Sequence, residues 1–278
     1  MSAAAASRRQ RHWDLRAAGN FIGGGTGTGL IVMAALAAVA GAPFRLVLAI
    51  GLAAVLGGLS LVWLEIGRPW RALNVFFHPR TSWMTREGIL ATVLVPVALF
   101  AAGMGSAVAA VGAALLACGF LYCQARILRA ARGIPAWRQA EIVPLILATG
   151  IAEGSGLYLL AGGHAAPWLM FALLAALLRE VAWRAYRAGV AATPAGARSV
   201  EVFDAPSGQL AYAGQLAGAA LVAVALLAGP LGGTAGLLAW AGGALMALSG
   251  WGFKAVLITR AAFIRAAVVP MVPTRGGR

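Results

Sequence analysis

The sequence predicts an all-α protein, a polytopic bundle of eight transmembrane helices with both termini in the cytoplasm. Three observations carry that prediction. Only 11% of the 278 residues are charged and 61% are hydrophobic, with a mean hydropathy of +0.85, whereas a water-soluble domain carries roughly 25% charged residues. The apolar residues gather into runs close to the ~20 residues that cross a bilayer as a helix. The cations fall almost entirely into alternate loops between those runs.

Residues 1–19 form a polar cytoplasmic arm with Arg8, Arg9, Arg11 and Arg16. The first apolar run covers 20–42. Arg8 and Arg9 before it and Ala40-Gly41-Ala42 after it imitate a cleavable signal. The run is longer than a signal-peptide core and seven more follow, so it reads as an uncleaved first helix. Its glycine cluster, Gly23-Gly24-Gly25-Thr26-Gly27-Thr28-Gly29, lacks the Gly-Lys-Ser/Thr of a nucleotide loop and follows no strand. Such small residues let membrane helices approach closely, or let a cofactor or lipid pass against the helix.

The next runs cover 45–66, 88–103, 107–128, 140–162, 167–187, 208–231 and 235–258. The third looks short, and Gly103–Gly105 blurs its boundary with the fourth. Residues 67–86 between the second and third form a long polar hairpin, whereas the loops on the other face are only a few residues each. The membrane domain therefore spans 20–258, and 259–278 is a cytoplasmic tail.

A net charge of +14 would suit nucleic acid, but the placement of the charge excludes it. Arm, even-numbered loops and tail hold all but one of the 22 cations, counting Lys254 with the tail, and the opposite face is left with Arg45. The positive-inside rule then places both termini and the even-numbered loops in the cytoplasm.

Redox groups within the chain are excluded by their missing ligands. Cys118 and Cys123 form no CxxC motif, so no iron–sulfur cluster or thiol couple is expected. His12, His78 and His164 all lie outside the apolar runs, which excludes bis-histidine haem, and no metal site is expected.

Chemistry concentrates around the hairpin. Glu65 closes the second run and Glu87 opens the third, so both carboxyls sit at one membrane depth. Between them Arg68, Arg71, Arg80 and Arg86 alternate with Trp70, Phe76, Phe77 and Trp83. Ser82 or Thr85 suits the N-cap of the third helix, and Glu87 suits its positive end. One reading is an interfacial belt of Trp anchors, snorkelling Arg and pairing acids. The sharper reading is a pocket for a ligand entering from lipid. A quinone fits it, because its ring stacks on aromatics and its carbonyls need hydrogen-bond donors and protons.

The string Glu65-Ile-Gly-Arg-Pro-Trp-Arg-Ala-Leu-Asn74, followed by Ser82-Trp-Met-Thr-Arg-Glu87, resembles the membrane anchor subunits of dimethyl sulfoxide reductase-type molybdoenzymes. Those carry His-Leu-Gly-x-Pro-x-Arg-Ala-x-Asn and a downstream Ser-x-x-x-x-Glu. With Trp13-Asp-Leu-Arg-Ala-Ala-Gly-Asn20, the chain looks most like anchors of phenylacetyl-CoA:acceptor oxidoreductase or of cytoplasmic sulfite-oxidising complexes. The resemblance implies a quinone-reactive subunit, using menaquinone or ubiquinone. Its partners would be a four-cluster iron–sulfur subunit and a molybdopterin catalytic subunit. Arg71 matches the family's hairpin arginine and Glu87 its downstream acid. Glu65 stands where the family has histidine, and a carboxyl donates a hydrogen bond only when protonated, so His78 is an alternative proton carrier.

Further candidates come from polar residues in apolar surroundings. Asn20, opening the first run, is a candidate ligand for the quinone headgroup. Glu153 lies about 12 residues into the fifth run, roughly 18 Å deep at 1.5 Å per residue. It is a proton-relay residue or a structural acid. Arg179, Glu180 and Arg184 suggest an ion-pair cluster. Arg68, Arg80 and Arg132 suit docking of the soluble partners. The rival readings are a small-solute transporter, which would show paired broken helices and midplane charges, and a purely structural anchor.

Overall fold

The computed structural model describes residues 8–65, 69–193, 196–229 and 233–264, with the side chains at 65 and 69–72 outside that description. In chain order the helices are α1 (Leu15–Val39), α2 (Arg45–Glu65), α3 (Trp83–Met104), α4 (Ala107–Ala130), α5 (Pro135–Arg138), α6 (Ile142–Leu160), α7 (Ala166–Ala191), α8 (Ala197–Asp204), α9 (Pro206–Ala228) and α10 (Gly233–Thr259). Eight of them are long and apolar enough to cross a membrane; α5 and α8 are short connectors. The chain is an all-α, multi-span membrane bundle.

Local chemistry sets the helix ends and moves two predicted boundaries. The Asp14 carboxylate accepts from the Arg16 amide at 2.7 Å and caps α1. The helix therefore starts at Leu15, and Asn20 lies within it rather than opening it. Ser82 caps α3, its hydroxyl accepting from the Thr85 amide at 3.2 Å. The polar stretch 83–87 is thus helical, and the third span is a full 22 residues. Gly105, at φ +67°, supplies the left-handed turn that separates α3 from α4. Ser106 then caps α4 through the Ala109 amide.

Both described chain ends meet at one end of the bundle. Strand β1 (Arg8–Arg9) pairs antiparallel with β2 (Phe263–Ile264). Beside it the buried Gln10 amide donates to the carbonyls of Trp13 and Ile258. Trp13 in turn packs on Phe21 and Trp137. An even number of spans puts both ends on one side, as this pairing requires. The hairpin lies at the same end, where Pro69–Phe77 forms a 3-10 helix with Leu73 and Phe77 exposed.

Helices α1, α6 and α10 form the centre, 67%, 67% and 61% buried along their most apolar stretches, and the other five spans surround them. One apolar core joins α1 to α2, α3 and α4, and another joins α6, α7, α9 and α10. The glycine cluster of α1 makes this possible. A Cβ added at Gly27 would lie 2.5 Å from the Gly51 carbonyl of α2, and one at Gly29 would lie 2.2 Å from the Gly150 carbonyl of α6. Glycines on both sides bring the backbones together where no side chain would fit.

Candidate functional site

Beneath the hairpin, three helices each contribute one buried polar side chain: Asn20 of α1, Glu87 of α3 and Gln124 of α4. The Gln124 Nε2 donates to the Asn20 backbone carbonyl at 3.3 Å, and the Glu87 carboxyl faces the Gln124 side chain. Gly24 leaves the room for that carboxamide, since a Cβ there would lie 2.4 Å from Gln124 Oε1. The hairpin is fastened over the group: the Thr85 hydroxyl donates to the Val75 carbonyl, and Val75 and Phe76 pack over Gly88.

The defining feature is unmet hydrogen bonding. Asn20 Oδ1, Glu87 Oε1 and Gln124 Oε1 are all buried, and none has a partner. A buried polar atom left unpaired costs free energy, and native structures satisfy nearly all of them. Three such oxygens on converging helices form a site that accepts hydrogen bonds from a bound molecule or water.

The sequence-predicted residues divide here. Asn20 and Glu87 come together, with Gln124 between them. His78 is exposed, and no hydrogen bond joins its ring to this group; its carbonyl accepts from the Thr81 and Ser82 amides. Arg68 lies outside the described residues, as do the side chains of Glu65 and Arg71. Arg80 and Arg132 are exposed at the same end of the bundle.

A second constellation lies between α1, α6 and α10. Lys254 Nζ and Glu153 Oε2 are 2.7 Å apart, and both side chains are 0% exposed. Lys254 also donates to the Phe21 carbonyl at 3.0 Å, and the Thr26 hydroxyl donates to Glu153 at 2.9 Å. The Trp251 indole completes the set by donating to Thr26. Gly25 and Gly250 lie against the pair, where a Cβ would collide with Lys254 Nζ and Glu153 Oε1 respectively.

Two expectations are corrected by this geometry. Lys254 does not belong to the basic tail; it is fully buried inside α10, neutralising Glu153. Its side chain is held inward because the deep carboxylate is a nearer partner than the interface. Nor do Arg179, Glu180 and Arg184 form one cluster. Glu180 pairs with Arg184 at 2.7 Å and accepts from the Tyr212 hydroxyl. Arg179 turns into the bundle and donates to Gln215 and Ser249, because adjacent helix positions point about 100° apart.

Gln124 and Lys254 are the two residues that the sequence reading missed. Gln124 is the sole amide side chain within the fourth apolar run, a polar signal in apolar surroundings. Lys254 also lies inside a predicted span, but its partner is 101 residues away. No protein-family model matches the chain, and no curated protein is significantly similar to it in sequence.

Proposed function

We propose that the chain is the membrane anchor and quinone-reactive subunit of a molybdopterin and iron–sulfur oxidoreductase. In this reading it passes electrons from a cytoplasmic four-cluster iron–sulfur subunit to membrane quinone as a cytoplasmic substrate is oxidised. The observation that carries the proposal is the set of three unpartnered buried oxygens on Asn20, Glu87 and Gln124. They lie beneath the hairpin whose sequence resembles the molybdoenzyme anchors.

The donor and acceptor chemistry fits. A quinone supplies a two-electron, two-proton couple, and its reduced ring carries two hydroxyls that need acceptors. Asn20 and Gln124 would orient the ring oxygens, and either carboxamide donates when turned. Glu87 would hold a proton at Oε1. By the resemblance, Arg71 would donate to a ring oxygen and Glu65 would exchange protons at the hairpin side. Electrons and protons would then meet at one membrane face, so turnover would move little net charge across the bilayer. Arg68, Arg80 and Arg132 would form the docking platform for the soluble subunits.

The transporter reading is favoured by the Glu153–Lys254 pair, a charged pair deep in the bundle. The pair is completely buried and held by four hydrogen bonds, with Glu153 Oε1 left unpartnered, an arrangement that suits a structural lock better than a carrier site. Metal analysis separates the two readings, since molybdenum and iron should accompany the chain when it is purified with its partners from native membranes.

The decisive experiment is kinetic. In the assembled complex, Glu87→Gln and Gln124→Leu should each depress quinone-coupled turnover. Activity with an artificial acceptor that draws electrons directly from the clusters should be spared. Loss of a hydrogen bond to a charged or reacting group is worth about 1.5–3 kcal/mol, a ten- to hundredfold effect. Full quinone activity in both variants would place the quinone elsewhere.

A further inference from the structure

Near the outer edge of the same bundle end, two guanidiniums share one indole. Arg86 lies 4.1 Å and Arg126 4.2 Å from the ring centroid of Trp83. Tyr122 meets the indole edge-on at 5.7 Å, and its hydroxyl accepts from Arg126 Nη1 at 2.6 Å. Arg86 is fixed on its other side by donating to the carbonyls of Pro79 and Arg80. The nearest acid in sequence, Glu87, points inward and is buried. Neither guanidinium is ion-paired among the described residues.

Holding two cations on one ring is costly unless an anion joins them. The stack therefore presents a preorganised, doubly positive notch at the ends of α3 and α4. Guanidinium forks match phosphate oxygens in geometry, and cation–π contacts hold them oriented without neutralising their charge. The surface running down from the notch is apolar. Tyr122, Cys118 and Leu115 follow at helical spacing on α4, with Leu115 71% exposed, and Val93, two turns below Arg86, is exposed on α3. These are peripheral helices of the bundle rather than its centre.

We propose that Arg86, Arg126 and Trp83 form a binding site for the phosphodiester headgroup of an anionic phospholipid, whose acyl chain runs along the α3–α4 surface. A soluble acidic segment would find the charge but no use for the apolar track below it. A membrane lipid matches both, and basic notches between spans are a recurrent form of lipid recognition.

Native mass spectrometry of the full chain in neutral detergent tests this. Phosphatidylglycerol should bind at least tenfold more tightly than phosphatidylcholine. Arg126→Gln should weaken phosphatidylglycerol binding about tenfold, the scale of one charge-assisted contact. Arg138→Gln, at an exposed arginine on the same end, should leave it unchanged. Trp83→Leu, which keeps both cations but removes their platform, should weaken binding as well. Thermal unfolding without added lipid checks that the variants are folded. Equal binding of the two lipids, or equal losses in Arg126→Gln and Arg138→Gln, would overturn the proposal. So would full displacement of the lipid by millimolar inorganic phosphate, which would make the notch a free-anion site.

Discussion

Replacing Lys254 by methionine would leave the Glu153 carboxyl fully buried without its cation, and that asymmetry makes the pair testable. Breaking a buried ion pair from one side costs about 3–5 kcal/mol, whereas replacing both members with apolar residues of similar size is often neutral. Lys254→Met should therefore lower thermal stability in detergent strongly, and Lys254→Met with Glu153→Leu should recover most of it. Equal destabilisation in the single and double variants would show that the attraction between the two contributes little. Only half of this pair was legible in the sequence. A lone carboxylate far inside an apolar run marks itself, and Glu153 was recognisable as deep. Lys254 sits five residues from the end of its helix, where a long side chain ordinarily reaches the interface. Only the fold shows that a nearer anion draws it inward. Glu87 and Asn20 were legible for another reason, their place at the start of apolar runs and, for Glu87, the resemblance, whereas Gln124 stands near the end of its run with no motif around it.

At the scale of helices, the apolar runs located all eight spans, because length and hydropathy alone decide whether a segment crosses a bilayer. Helix ends were less legible. Arg16 before the first run and Thr85, Arg86 and Glu87 before the third make 15–19 and 83–87 look like loop, yet caps at Asp14 and Ser82 extend helix through them. The hairpin's 3-10 helix, Pro69–Phe77, does carry an apolar residue at every third position, Trp70, Leu73 and Phe76, a period that the arginines and prolines around it mask. The glycine cluster forms a packing surface, and its geometry yields a sharp contrast. A Cβ at Gly154 would come within 2.1 Å of the Gly29 carbonyl carbon, whereas one at Gly57 would meet nothing within 4 Å. Overpacking a tight contact costs about 1–3 kcal/mol. Replacing an unobstructed helical glycine by alanine instead gains roughly 0.5–1 kcal/mol. Gly154→Ala should thus lower the melting temperature of the purified chain, and Gly57→Ala should hold or raise it. Equal tolerance of the two would mean that α1 and α6 are not in backbone contact.

For the molecule as a whole, the charge asymmetry survives the correction of its parts. Among the residues whose side chains are described, and setting aside the buried Arg179 and Lys254, 14 cations belong to the end of the bundle where β1 and β2 pair, against Arg45 alone at the other. Arg45 itself lies over the α3–α4 turn, close enough that a Cβ at Gly105 would meet its Nη2. The arm-to-tail strand pair brings both described chain ends to one end of the bundle independently of any charge rule. Positive loops are retained on the cytoplasmic side during insertion. The proposed quinone site and docking platform would therefore face the cytoplasm. Reporter fusions after Arg80, Arg132, Arg198 and Arg278 should all give cytoplasmic signals, and a fusion after His164 a periplasmic one. A periplasmic signal after Arg80 together with a cytoplasmic one after His164 would invert the molecule. It would move the soluble partners and their substrate to the other compartment, while leaving the site beneath the hairpin intact for the kinetic test. A split between Arg80 and Arg278 would instead break the even span count, which the pairing of Arg8–Arg9 with Phe263–Ile264 does not permit.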